Sequence, residues 1–427
     1  MLRSNSKEVL NEIKELAIPA LSLPRPDDPI YDDDELLILE SLLSLRTKSA
    51  NDAGEDLSNL ENPYPDLDDP FYEDGPSGET LLESIKQLSV DQISEQINGA
   101  LEKIYKRAKP KLKQLESDDG TRFERRTQVA IDITYVAYSA DGEEMDWIQG
   151  AHNFDEVRYD YCYKFATITI VGQNTHYVVG VQPLGNADYA PNEDYPGQDQ
   201  SYYTGAVVKR LLDIANKFVD INRVYADREF GAPGVVAQLE RRNLKYVIPV
   251  REDARIARKC GNFDSEKKGY DEENDTPLYV EKNYARYGQV QNGVSNTPVT
   301  SNLVILPPDD EDKTREDSPQ PFITNLDVSD EIALDRRRSR MVIEKYRNRA
   351  AIESAYASIK ECAGETSSNV FEVRWFHFAF ATIVYDLWLL VDFLVQERIN
   401  VIETKNSPRI TLDRFLSRLS DQFDELL

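Results

Sequence analysis

The stretch YRNRAAIESAYASIK, Tyr346 to Lys360, spaces four functional side chains at helical intervals. An α-helix turns about 100° per residue, which predicts Arg349, Glu353 and Lys360 at about 300°, 340° and 320° from Tyr346, in one narrow stripe. A phenol, a guanidinium, a carboxylate and an ammonium in file suit a site that holds a metal ion and a phosphate together. Ala350, Ala351 and Ala355 between them are small enough for close packing. The plain alternative is a solvated helix face, because Glu with Lys or Arg at i,i+4 spacing stabilises many helices modestly.

Upstream, the hydrophobic period changes from helical to alternating at Gln128. The segments QVAIDITYVAY, YDYCYKFATITIV and THYVVGVQPL are rich in β-branched and aromatic residues and predict three consecutive strands. An amphipathic helix follows over 201–219, then the short strand of NRVYADREF, a helix over 231–242 and a fifth strand in LKYVIPVR. Three strands, then helix, strand, helix, strand, predict a mixed-sheet α/β domain of the ribonuclease-H-like type, flanked by helices. Residues 251–330 interrupt it with polar, turn-rich runs around PLYVEKNYARYG, SNLVILP and QPFITNL, which predict a β-rich insertion. The helix bearing Glu353 is expected to start near Ser329 or Asp330, either of which can cap it.

Two aspartates stand out against this frame. Asp132 lies mid-strand in AIDIT, alternating with Ile131 and Ile133, so it points to the opposite side of the sheet from them. Asp227 ends the fourth strand in YADREF, and strand ends in α/β sheets are where ligands are met. Asp132 by itself is open to the reading of an exposed polar residue. Asp141, Glu143, Glu144 and Asp146 are most simply a solvated turn, and His377, in an aromatic run, a core residue.

Tyr-x2-Arg-x3-Glu-x6-Lys at Tyr346, Arg349, Glu353 and Lys360, with Asp-Arg-Glu at 227–229, resembles the signature of a large family of DDE insertion-sequence transposases. The resemblance covers about 126–395. It implies that Asp132, Asp227 and Glu353 are the catalytic acids and ligate magnesium or manganese, two ions in all, with Asp132 bridging. It implies that Tyr346, Arg349 and Lys360, with Arg228 beside Asp227, contact DNA near the cleaved phosphate. It implies cleavage of element ends and strand transfer into target DNA by a homodimer in a paired-end complex. Some relatives stack a flipped base on a tryptophan of the insertion, but Trp147, Trp375 and Trp388 all lie outside 251–330. A metal-dependent nuclease without strand transfer and a non-catalytic DNA-binding descendant are the alternatives.

The domain plan that follows has an acidic, helical region at 1–125, a catalytic domain at 126–250 and 331–397, the insertion at 251–330 and a C-terminal helix at 398–427. Within the first region, Lys103, Lys106, Arg107, Lys109, Lys111 and Lys113 form a basic helix end that suits either DNA ends or solvent. Arg336, Arg337, Arg338 and Arg340 form a second basic run just before the signature.

Composition sets a tension, because the formal charge is −27 whereas phosphate binders are usually basic. Spread acid with more Arg than Lys resembles proteins of salt-loving archaea, where strong screening tolerates an acidic surface. Cys162, Cys260 and Cys362 are too few and too scattered for a disulfide framework or zinc site. The charged N-terminal stretch lacks a signal-peptide core. The apolar run 375–395 is interrupted by Asp386 and Asp392 and predicts a buried helix instead of a membrane span. A cytoplasmic protein is expected.

Overall fold

The computed structural model describes residues 13–25, 30–46, 76–118, 127–138, 147–150, 161–171, 176–185, 204–251, 254–266, 278–286, 289–290, 293–294, 298–306, 319–398 and 408–417. After a π-helical turn and a 3-10 turn over 13–20 come α1 (Asp33–Arg46), α2 (Gly78–Lys86) and α3 (Val90–Asp118). Next are β1 (Thr127–Tyr138), β2 (Gln149–Gly150), β3 (Tyr161–Ile170), β4 (Val178–Leu184) and α4 (Thr204–Ala215). Then follow β5 (Ile221–Ala226), α5 (Pro233–Arg241), β6 (Lys245–Pro249), α6 (Ala254–Glu266), β7 (Tyr279–Arg286), β8 (Gln289–Val290), β9 (Gly293–Val294), β10 (Val299–Leu306) and β11 (Gln320–Thr324). The chain continues with α7 (Ala333–Glu344), a 3-10 turn Lys345–Arg349, α8 (Ala350–Glu361) and α9 (Phe371–Arg398). The protein is thus a mixed α/β fold of two compact units, one comprising 1–124, 134–183 and 352–427, the other 125–133 and 184–351.

The first unit is built on α9, which packs against α1, α2 and α3. Reciprocal capping boxes start two of these helices: Asp32 with Glu35 before α1, and Ser89 with Gln92 before α3. The helix α9 is long and apolar enough to cross a membrane, with mean hydropathy 1.9, yet 89% of that window is buried within the protein. Two acids in its middle, Asp386 and Asp392, each accept hydrogen bonds, and the second oxygen of Asp386 is buried without one. Asp386 accepts a hydrogen bond from the Val178 amide at 2.9 Å, and Asp392 accepts from Gln396 and from the Ile410 amide, each at 2.7 Å. Aromatic rings tie β3 to the same helix, with Phe165 stacked on Phe378 at 4.5 Å and 5.2 Å from Trp375.

The strand β4 pairs β3 and leaves its other edge to helices. Asn98 of α3 treats Val181 as a strand neighbour would, accepting from its amide at 2.9 Å and donating to its carbonyl at 3.0 Å. With Asp386 on Val178, these side chains satisfy an edge that would otherwise be open to pairing with another chain.

The second unit is a sheet in the order β1-β5-β6-β11-β10-β7. Its first three strands are parallel, with Val129 opposite Val224 and Tyr225 opposite Val247. From β6 onward the pairing is antiparallel, beginning with Ile248 opposite Ile323. The strands of 251–330 therefore extend the sheet that carries Asp227. The helices α4 and α5 pack together, and Val207, Val208, Leu211 and Leu212 of α4 are fully buried.

Local patterns located the long elements to within a few residues and failed where capping or period was ambiguous. The helix α6 stands at the start of the expected β-rich insertion, where no helix was expected. The signature helix does not start at a cap by Ser329 or Asp330: α7 begins after Ile332, which makes no side-chain cap. Ser329 instead exchanges hydrogen bonds with Ser339, and Asp330 accepts from the Val280 amide. The expected C-terminal helix is helical over 412–417, and its remainder lies outside the described residues, as do residues 1–12 of the N-terminal stretch and 141–146 after β1.

Candidate active site

Parallel pairing of β1 with β5 sets Ile131 opposite Ala226, so the next residue on each strand is an aspartate. The amide of Asp227 donates to the Ile131 carbonyl at 3.2 Å, which fixes Asp132 and Asp227 side by side. Asp132 is 4% exposed. One of its oxygens accepts from the Ile133 amide at 2.9 Å, and the other accepts from Arg349 at 2.6 Å. The second guanidinium arm of Arg349 stands 3.8 Å from Asp227. A buried carboxylate is stable only when paired, and Arg349 supplies the pairing from a distant part of the sequence.

The backbone around Arg349 departs from the expected single helix. The 3-10 turn Lys345–Arg349 separates α7 from α8, so the uniform 100° advance assumed for the signature does not run through it. A 3-10 turn has three residues and eclipses i with i+3, and that places the Arg349 guanidinium over the Tyr346 ring at 5.4 Å. Tyr225 and Phe322 wall the same ring, edge to face, at 6.4 and 5.5 Å. Burial raises the Tyr346 phenol well above its usual pKa; the charge of Arg349 opposes this, and those of Asp227 and Asp132 add to it. Arg228, exposed on the 3-10 turn after Asp227, is close enough for its charge to act on the same phenol.

Glu353 and Lys360 lie on α8, in residues that belong to the first unit, whereas Asp132, Asp227, Arg228, Tyr346 and Arg349 belong to the second. Within its unit α8 is anchored to the sheet by Tyr356, whose hydroxyl meets Thr167 of β3 at 2.8 Å. Glu353 is solvent-exposed one turn earlier. Partial burial lowers the Lys360 pKa. Among the described residues no three His, Cys, Asp or Glu side chains are grouped closely enough to hold a metal ion. The pair Asp132 and Asp227 nevertheless fits one: its hard carboxylate oxygens already converge on a cationic group.

Sequence reading missed the groups that shape this pocket from other strands. Tyr225 and Phe322 are ordinary strand residues by pattern, and nothing local marks them as the walls around Tyr346. Gly231 is similar: a Cβ there would meet the carbonyls of Arg228 and Pro249 at 3.2 and 3.3 Å, and Arg286 donates to its carbonyl. Only the folded sheet makes that position tight.

Residues 194–387 match the family model described as the Transposase DDE domain. The chain carries a transposase DDE domain. DNA transposition is the function that goes with it. The matched part of the transposase domain contains Asp227, Arg228, Tyr346, Arg349, Glu353 and Lys360, while Asp132 precedes it. No curated protein matches the chain. Among solved structures, a piggyBac transposase synaptic complex with hairpin DNA is similar at 12% identity and TM-score 0.47, over 98% of this chain and 79% of that one. Endonuclease V from Ciona intestinalis, in complex with DNA containing an inosine, is similar at 9% identity and TM-score 0.23, over 51% of this chain and 82% of that one. The catalytic domain of human endonuclease V gives 9% and 0.23, over 57% and 98%. Likenesses this loose are not enough to define the fold of the transposase domain.

Proposed function

We propose that the protein is a DDE transposase of the Tyr-Arg-Glu-Lys signature type, with a ribonuclease-H-like core, that cuts insertion-sequence ends and joins them to target DNA. The observation that carries this reading is the neighbouring pair Asp132 and Asp227 held by Arg349, in a chain with a transposase DDE domain. Asp132, Asp227 and Glu353 would hold magnesium or manganese, two ions in all. Such ions supply Lewis acidity and lower the pKa of a bound water. In this reading Arg349, Arg228 and Lys360 orient the phosphates around the scissile bond, Arg349 by its planar fork and Lys360 as a point charge. Tyr346, as a neutral phenol, donates a hydrogen bond to the terminal nucleotide. Hydrolysis frees a 3′-hydroxyl, which then attacks the second strand or the target phosphodiester and releases the 3′-oxygen of the broken bond. Two copies, each engaging one element end, would form the paired complex in the cytoplasm, at high salt suited to the chain's acidity.

Glu353→Gln is the decisive variant. Loss of metal-dependent strand cleavage with folding and end binding retained is expected, and full cleavage by this variant in magnesium at high salt would remove the reading. Joining of pre-cut ends to a target plasmid tests the second step separately, since simple hydrolysis yields no joined product.

A further inference from the structure

The basic run before the signature is sorted by the fold into two faces. On α7, Ser339 and Ile343 are buried, and Arg336 and Arg340 are half-buried, Arg336 donating to the Asp330 carbonyl at 2.6 Å and Arg340 pairing with Glu344 at 2.6 Å. Leu334, Arg337, Arg338 and Met341 lie at offsets of 0, 3, 4 and 7, within about 100° of arc on the opposite side. All four are exposed, Leu334 at 57% and Met341 at 58%. Of the five large hydrophobic residues exposed among the described ones, three (Ile332, Leu334 and Met341) fall in these ten positions. Lys345 and Arg347, also exposed, carry the positive charge on into the 3-10 turn that presents Tyr346 and Arg349.

We propose that this α7 stripe is a docking surface for the sugar-phosphate backbone of duplex DNA, outside the cleavage site and continuous with it. Its composition favours DNA over a protein partner. Two guanidinia occupy the centre of the stripe, and the apolar side chains stand at either end. Interfaces with DNA are far more positive than those between proteins. Arg337 and Arg338 meet phosphates on either side of a groove, and Leu334 and Met341 cover the apolar faces of the sugars. A local cationic stripe also answers the problem set by the chain's charge of −27, because at about 0.15 M salt charges beyond about 8 Å are largely screened and the near ones dominate.

The inference rests on the transposase reading, and the test separates the two. Full-length protein and the double variant Arg337→Ala/Arg338→Ala are titrated against a fluorescent duplex of arbitrary sequence over a range of KCl concentrations. The variant is expected to bind at least tenfold more weakly at the lowest salt, with a plot of log affinity against log salt shallower by about 2. Leu334→Ser/Met341→Ser should weaken binding and leave that slope unchanged. Equal affinity and slope for parent and Arg variant overturn the inference while leaving the transposase reading intact. A parent that neither binds nor cuts DNA removes the reading itself. Light scattering covers the remaining occupant: a dimeric parent that becomes monomeric in the Arg variant assigns the stripe to contact between copies and overturns the DNA assignment.

Discussion

Asp132 and Arg349 stand 217 residues apart in sequence and meet at 2.6 Å, the guanidinium being the partner that lets the carboxylate stay buried. Arg349 also reaches toward Asp227, at 3.8 Å, so one guanidinium faces both acids. Replacing it with alanine leaves two neighbouring carboxylates without their cation. The metal-free Arg349→Ala protein should lose about 3 kcal/mol in urea unfolding. Manganese should restore more stability to the variant than it adds to the parent, because the ion no longer competes with the guanidinium and a tighter-bound ligand stabilises the folded state more. A variant as stable as the parent, with no extra response to manganese, would contradict this account.

Asn98 is expected to be as important to the first unit as a residue of its core. Asn98→Ala strands both the amide and the carbonyl of Val181 on the outer edge of β4. Each buried group left unsatisfied costs about 1–3 kcal/mol, and a loss of about 2–4 kcal/mol should appear in thermal or urea melts. The exposed edge should also raise aggregation, measurable by light scattering near the melting temperature.

Asp386 makes the stability of the first unit depend on pH in a defined direction. It is fully buried and its pKa is raised well above the usual carboxylate range by desolvation, with the Val178 hydrogen bond partly opposing the shift. The folded state therefore holds a proton that the unfolded chain releases near pH 3.9. Its contribution is complete below that pH and declines as pH rises toward the folded pKa. Asp386→Asn, neutral at every pH, should show a smaller loss of stability between pH 4 and 8 than the parent. Parallel curves for the two proteins would mean that Asp386 is not protonated in the fold.

Salt should stabilise the folded chain. A charge of −27 opposes compaction by self-repulsion, which added ions screen. The urea midpoint should rise between 0.1 and 2 M KCl, and a midpoint that falls would remove the high-salt reading.

The sequence by itself determined the kinds of element and the identity of the candidate chemistry. Alternation in QVAIDITYVAY and the apolar run from Trp375 produce β1 and α9 under almost any packing, because strand and helix periods are local properties. Asp227 at a strand end and the Tyr346–Lys360 spacing were legible for the same reason. The opening of that stretch was misread, since a 3-10 turn and an α-helix share one local pattern at Lys345–Arg349. Only tertiary structure brought Arg349 onto Asp132, walled Tyr346 with Tyr225 and Phe322, crowded Gly231, and divided four neighbouring arginines into two that are half-buried and two that are exposed. Those outcomes depend on strand register and on which face of α7 is buried. Burial and register come from contacts between segments far apart in the chain, and no window of sequence contains both partners.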